Sequence, residues 1–156
     1  MTHPYLFQLK KRNAFTALEL IMAIFVLVII IAVSVPLINH YLPGIRLSGS
    51  SRLLVSNIRE VQERAISEQN QFMIRFYPNS SPAEYQLIRI IGLTQEVLRE
   101  EILSTSETLT LAETISDDQI TFSPDGGPSS SGNITLSVNG ISKTINVSPA
   151  GFIKLE

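Results

Sequence analysis

The stretch Lys10-Lys11-Arg12-Asn13-Ala14-Phe15-Thr16-Ala17-Leu18-Glu19-Leu20 opens an apolar run that decides how the rest of this 156-residue chain is read. Three cations precede a span from Phe15 to Ile38 in which only Thr16, Glu19, Ser34 and Pro36 interrupt apolar residues, and Leu20 to Val33 has no interruption. As a helix rising ~1.5 Å per residue, Phe15 to Val35 is roughly 31 Å long, close to the ~30 Å thickness of bilayer hydrocarbon. The run reads as a membrane span. Glu19 is its anomaly, because a carboxylate near the start of such a span is costly and needs a compensating partner. Cutting the chain between Ala14 and Phe15 supplies one: Phe15 gains an α-amine, and Glu19 lies four residues on, on the same helical face. A packed neighbour can then set its amine against this carboxylate, which also enjoys the positive end of the helix dipole.

Outward from the span, the totals suit one modest domain. Formal charge is −2, but Lys10, Lys11 and Arg12 all precede the span; without residues 1–14, nine basic residues face 14 acidic ones, a formal −5. The basic end is expected to stay cytoplasmic and the remainder to lie outside. There is no cysteine, so an exported domain must rely on its own core and no thiolate metal site exists.

Pro36 removes a backbone donor and is expected to bend the helix, and Pro43-Gly44 reads as a second interruption. Beyond it, Leu47, Leu54, Ile58, Val61 and Ala65 recur at helical steps, the mark of an amphipathic helix. Ser48, Ser50 and Ser51 weaken its first turns, and Arg52 to Glu68 is its firm part. The other face carries Arg59, Glu60, Glu63, Arg64 and Glu68, including the helix-spaced Glu60 and Arg64; these either solvate the surface or set contacts with neighbouring subunits. From Phe72 the period falls to two: Phe72, Ile74 and Phe76 alternate with Met73, Arg75 and Tyr77, Pro78 to Pro82 turns the chain, and Tyr85 to Ile91 returns as a second strand. Gln95 to Leu103 fits a strand or a short helix. Later strands are read at Leu109–Leu111, Gln119–Ser123, Ile134–Val138, Ser142–Val147 and Phe152–Leu155, with Asn139-Gly140 a two-residue hairpin signal. The expected architecture is α+β: leader 1–14, transmembrane helix 15–38, amphipathic outer helix 39–69 and an antiparallel β-rich head 70–156.

A short basic leader, a small residue, Phe-Thr, a Glu fifth in the cut chain, and about twenty apolar residues resemble the class III signal of type IV pilins and pseudopilins. The resemblance implies that a prepilin peptidase cuts between Ala14 and Phe15 and methylates the Phe15 amine, that Glu19 is the assembly acid, and that Pro36 occupies the place of a helix-bending proline. Ala14 stands where the family almost always has Gly. Arg64-Ala65-Ile66, Ile120-Thr121-Phe122-Ser123-Pro124-Asp125-Gly126 and Val147-Ser148-Pro149-Ala150-Gly151-Phe152-Ile153 resemble the minor subunits grouped as GspH/FimT. That group implies a low-abundance subunit which starts or tips a filament in type II secretion, a type IV pilus or a DNA-uptake machine. Its partners would be other pseudopilin or pilin subunits, the inner-membrane assembly platform and membrane lipid, and its location the inner membrane and then the filament. Two other readings compete: a secretory signal cleaved near Ala32-Val33-Ser34, or an uncleaved signal anchor, either of which would make the β-domain a binding module unrelated to filaments.

Enzymatic chemistry is not expected. The histidines, His3 and His40, lie in the leader and just past the span, so the plentiful serines of the β-domain lack a base. Asp117, Asp118 and Asp125 match no complete calcium loop, Asp125-Gly126-Gly127 lacks the Lys-Ser/Thr of a phosphate loop and is better read as a turn, and no cofactor is expected. Nucleic acid is an unfavoured partner: from Gln71 onward five basic residues face ten acidic ones, whereas phosphate binding needs a basic face.

Overall fold

The computed structural model describes residues 15–103, 108–111 and 115–156, with only the helical backbone given for residues 36, 37, 39 and 40. The leader 1–14, and Ala14 with it, lies outside the described residues. Two compact units divide the chain, Met1–His40 and Tyr41–Glu156.

One helix, α1, runs Ala17–Glu68 and contributes to both units. Within the first unit its segment Ala17–Val35 is long and apolar enough to cross a membrane, and none of it is buried. Within the second unit the helical stripe foreseen from spacing is the buried one: Leu47, Leu54, Ile58 and Ala65 are fully enclosed and Val61 nearly so.

The expected break at Pro43-Gly44 does not occur, because α1 continues through both residues. Local propensity yields here to tertiary packing: Gly44 lies against Ile141 and Leu47 enters the core one turn later. The serines do not unravel the helix either. Ser48 and Ser51 donate their hydroxyls to the carbonyls of Gly44 (2.9 Å) and Leu47 (2.7 Å), so neither polar group competes for the backbone from outside. Gln69, in the left-handed region at φ 52°, ends the helix, and the side-chain amides of Gln69 and Asn70 donate to the carbonyls of Ile66 and Glu68, which the helix leaves without partners.

Among the described residues eight strands follow: β1 Gln71–Tyr77, β2 Glu84–Ile91, β3 Thr94–Ile102, β4 Thr108–Leu111, β5 Gln119–Phe122, β6 Gly132–Val138, β7 Ile141–Val147 and β8 Ile153–Leu155. They form two antiparallel four-stranded sheets, ordered β3-β2-β1-β5 and β4-β6-β7-β8. The Gln95–Leu103 ambiguity resolves as strand. The Asn139-Gly140 hairpin forms as expected, with positive φ at both residues (50° and 80°) and Val138 paired to Ile141. Phe72, Ile74, Phe76, Tyr85, Leu87, Ile120 and Phe122 of the first sheet share one core cluster with Leu109, Ile134, Leu136, Val138, Ile145, Val147 and Ile153 of the second and with the α1 stripe. Alternation along β6, where Ile134, Leu136 and Val138 are buried and their neighbours are not, is what one covered face produces.

Candidate functional site

Glu19 sits in the first turn of α1. Thr16 precedes the helix and its hydroxyl accepts the Glu19 backbone N–H at 3.2 Å, while its carbonyl accepts that of Leu20 at 3.2 Å. Thr16 is therefore the N-cap, and Thr-x-x-Glu has the spacing of a capping box, a local signal that the sequence reading passed over. The Glu19 carboxylate itself has no hydrogen bond or ion pair among the described residues. Met22, Ala23, Val26, Leu27 and Ile30 share its helical face, and the small Ala23 leaves a shallow hollow one turn beyond the acid. Phe15, Leu18 and Ile21 around it are all exposed. The first unit thus presents one carboxylate on an apolar rod. Pro36 lies inside α1.

In the second unit the polar side of α1 also serves the chain's own strands. Three of its five charges reach strands of the same chain. Arg59 donates to the carbonyl of Ile153 (2.9 Å), Glu60 pairs with Arg99 of β3 as well as with Arg64, and Glu68 pairs with Arg89 of β2 at 3.1 Å. Burial works to raise the Glu60 carboxyl, but hydrogen bonds and charge from Arg99 and Arg64 outweigh it and hold the group below its ordinary value. Arg89 also lies over the Phe72 ring, 5.9 Å from its centroid.

Two polar residues on α1 that the sequence reading missed do more. Asn57, almost fully buried, donates to the Tyr85 hydroxyl at 2.9 Å and accepts from Arg99 at 3.4 Å. Burial pushes the Tyr85 phenol up to about 12, so it stays neutral at any physiological pH. Gln62 donates through one nitrogen to the carbonyls of Gly126 (2.9 Å) and Gly151 (3.0 Å).

Those two glycines belong to one turn used twice. In Ser123-Pro124-Asp125-Gly126-Gly127 and Ser148-Pro149-Ala150-Gly151-Phe152, the glycine N–H bonds the serine carbonyl (2.8 and 2.9 Å), and the serine N–H bonds the carbonyl of the residue after the glycine (3.0 and 2.9 Å). Each glycine has positive φ, 84° and 80°. A Cβ on Gly126 would lie 2.8 Å from Ile66 Cδ1, and one on Gly151 2.7 Å from Gln62 Nε2 and 3.0 Å from the Gly126 carbonyl oxygen. Only glycine fits both the dihedral and the space. The first turn follows β5 of one sheet and the second precedes β8 of the other, so Gln62 clasps both sheets to the helix. Asp125, expected as part of a turn, fulfils that role: the Ser123 hydroxyl and the Gly127 N–H bond its carboxylate and hold it below its ordinary value.

The family model described as Type II transport protein GspH matches residues 50–151, from the outer half of α1 through β7. No curated protein matches the chain in sequence. Among solved structures, the minor pseudopilin EpsH from the Type 2 Secretion System of Vibrio cholerae superposes with a TM-score of 0.63 at 11% identity, over 71% of this chain and 96% of that one. The type IV minor pilin FimU of Pseudomonas aeruginosa superposes with TM-scores of 0.62 and 0.58 in two crystal forms, at 15% and 17% identity, over 74% and 70% of this chain and 92% of that one. Over the matched part, the chain shares with them the α+β pilin-like fold, a helix-backed antiparallel head. With the family match extending over most of the chain, the protein belongs to the GspH family of type IV pilin-like minor pseudopilins and pilins.

Proposed function

We propose that this chain is a minor subunit of a type II secretion pseudopilus or type IV pilus-like filament, cut by a prepilin peptidase between Ala14 and Phe15 and N-methylated at Phe15. The observation that carries the reading is the lone Glu19 carboxylate, unpartnered within the described chain, on a segment whose whole apolar circumference is exposed. A helix that is apolar all round is stable only in lipid or inside a bundle. The inner membrane stores it, N-terminus cytoplasmic and head outside, until the assembly platform draws it among other subunits. There the apolar surface stays covered, and the Glu19 carboxylate meets the Phe15 amine of a neighbour. Pro36, lacking an N–H to continue the ladder, is the point at which the helix bends to follow the bundle. Pilin and pseudopilin families are structural and non-enzymatic, in keeping with a mechanism that consists of assembly.

Intact mass and N-terminal sequencing of the membrane-extracted protein test the reading. A chain beginning at Phe15 supports it, and one beginning at Met1 or near Val35 ends it. Glu19→Ala is expected to leave membrane insertion intact while abolishing incorporation into filaments, measured by co-sedimentation with sheared filaments.

A further inference from the structure

Four strands form the sheet margins: β3 and β5 of one sheet, β4 and β8 of the other. Among the described residues three of them are short, with four, four and three residues. The margin of β5 is also already occupied: Phe122 bridges to Pro128, Ser129 donates its N–H to the Thr121 carbonyl (2.7 Å), Thr121 donates back to the Ser129 hydroxyl (3.0 Å), and the Ser130 hydroxyl reaches the Gln119 carbonyl (3.2 Å). β3 differs on every count. It has nine residues, no proline, and no strand along its outer side among the described residues. Its one irregularity is the register shift against β2 between Leu87 and Ile88, which leaves Leu98 without a partner; it is otherwise an open, long margin, a template for one more strand of the kind that proteins normally shorten or cover.

Its side chains say what would fit. Val97 is 52% and Ile102 62% exposed, Leu98 is partly exposed, and the hairpin that leads into β3 ends in a fully exposed Leu93 beside Ile91. Among these apolar groups stand Glu96, Glu100 and Glu101. The single cation of the strand, Arg99, is committed to Glu60, Asn57 and Glu101; Glu100 accepts a neutral hydrogen bond from the Gln86 amide at 3.0 Å and keeps its charge, and Glu96 has no partner among the described residues. The margin is therefore acidic as well as apolar. Two copies of β3 side by side would double the carboxylates along one seam without adding a free cation, which disfavours a second copy of this chain.

We propose that β3 is a docking margin for an extended segment of another protein in which basic and apolar residues alternate, added as a fifth strand to the first sheet. Backbone hydrogen bonds give such an added strand its affinity, and the Glu96, Glu100 and Glu101 carboxylates select its charge. Nothing in this depends on the filament reading, and the two fail separately.

The experiment uses the full chain in an uncharged detergent with two blocked octapeptides, (Lys-Val)4 and (Glu-Val)4, read by fluorescence anisotropy and by hydrogen exchange along Thr94–Ile102. The Lys peptide is expected to bind at least about tenfold more tightly than the Glu peptide and to slow exchange of alternate β3 amides. The double substitution Glu96→Lys with Glu100→Lys, at exposed positions, is expected to reverse the preference while leaving exchange in β1 and β6 unchanged. Three results overturn the proposal: Lys-peptide binding without protection of β3, binding of neither peptide, as when the carboxylates serve only to repel strands, or β3 protection that rises with protein concentration in the absence of peptide.

Discussion

The two halves of α1 are built from the same residue types and solve opposite problems. In Ala17–Val35, leucine, isoleucine and valine lie on every side and all stay exposed, Ile29 and Leu27 at 49% and 57%. Past Tyr41 the same residues narrow to a stripe in which Leu47, Leu54 and Ile58 are completely enclosed. What differs is the period. Apolar residues at every position leave no solvated face and call for surroundings that are themselves apolar, whereas apolar residues at three- and four-residue steps find their cover within the chain. Within the described chain the first half is left uncovered, and the second is covered by its own sheets.

Paired substitutions break or sharpen this contrast. Leu54→Ala removes a fully enclosed side chain and is expected to lower head stability by about 2–5 kcal/mol, measured by denaturant titration of the detergent-solubilised chain. Leu27→Ala, the same change in the exposed half, is expected to alter that stability by less than about 0.5 kcal/mol. Equal losses would overturn the contrast. Gly151→Ala forces a Cβ to 2.7 Å from Gln62 Nε2 at positive φ and is expected to cost about 1–3 kcal/mol. Gln62→Ala leaves two glycine carbonyls without their shared donor and is expected to cost about 1–2 kcal/mol. Both act on the second half alone, so membrane partition should be unchanged.

A smaller effect than those of the glycine and glutamine variants is expected on pH dependence. Because the folded Glu60 carboxyl lies below its ordinary value of 4.5, its pairing with Arg99 stabilises fully above that value and is lost as the pH falls through the lower, folded one. At a partly exposed site this is about 0.5–1 kcal/mol. Arg99→Gln should flatten the acid limb of a stability curve by that amount, and an unchanged limb would show that the pair contributes nothing.

Patterns that repeat along the chain were legible in it. The span, the Leu47 to Ala65 stripe, the Asn139-Gly140 hairpin and most strands could be read because burial imposes a period on neighbours. β3 could not, and its structure gives the reason: it is an exposed margin, and its pairing with β2 shifts register between Leu87 and Ile88, so no alternation survives. Asn57 and Gln62 left no trace either, since their partners lie 28, 64 and 89 residues away. The Pro43-Gly44 misreading has a similar origin. Proline and glycine speak for the local chain, while Gly44 lies beside Ile141, far along it, and Leu47 enters the core one turn later. At the candidate site, Glu19 was conspicuous for its surroundings, and Thr16, three residues before it, was readable as its cap.

Because one amide of Gln62 fastens the turn after β5 and the turn before β8, tension applied to the outer part of α1 reaches both sheets at the same rung. A head so rigged should not peel sheet by sheet when pulled. In a single-molecule stretching experiment gripping α1 and the chain end, it should give way in one rupture, and Gln62→Ala should split that event in two.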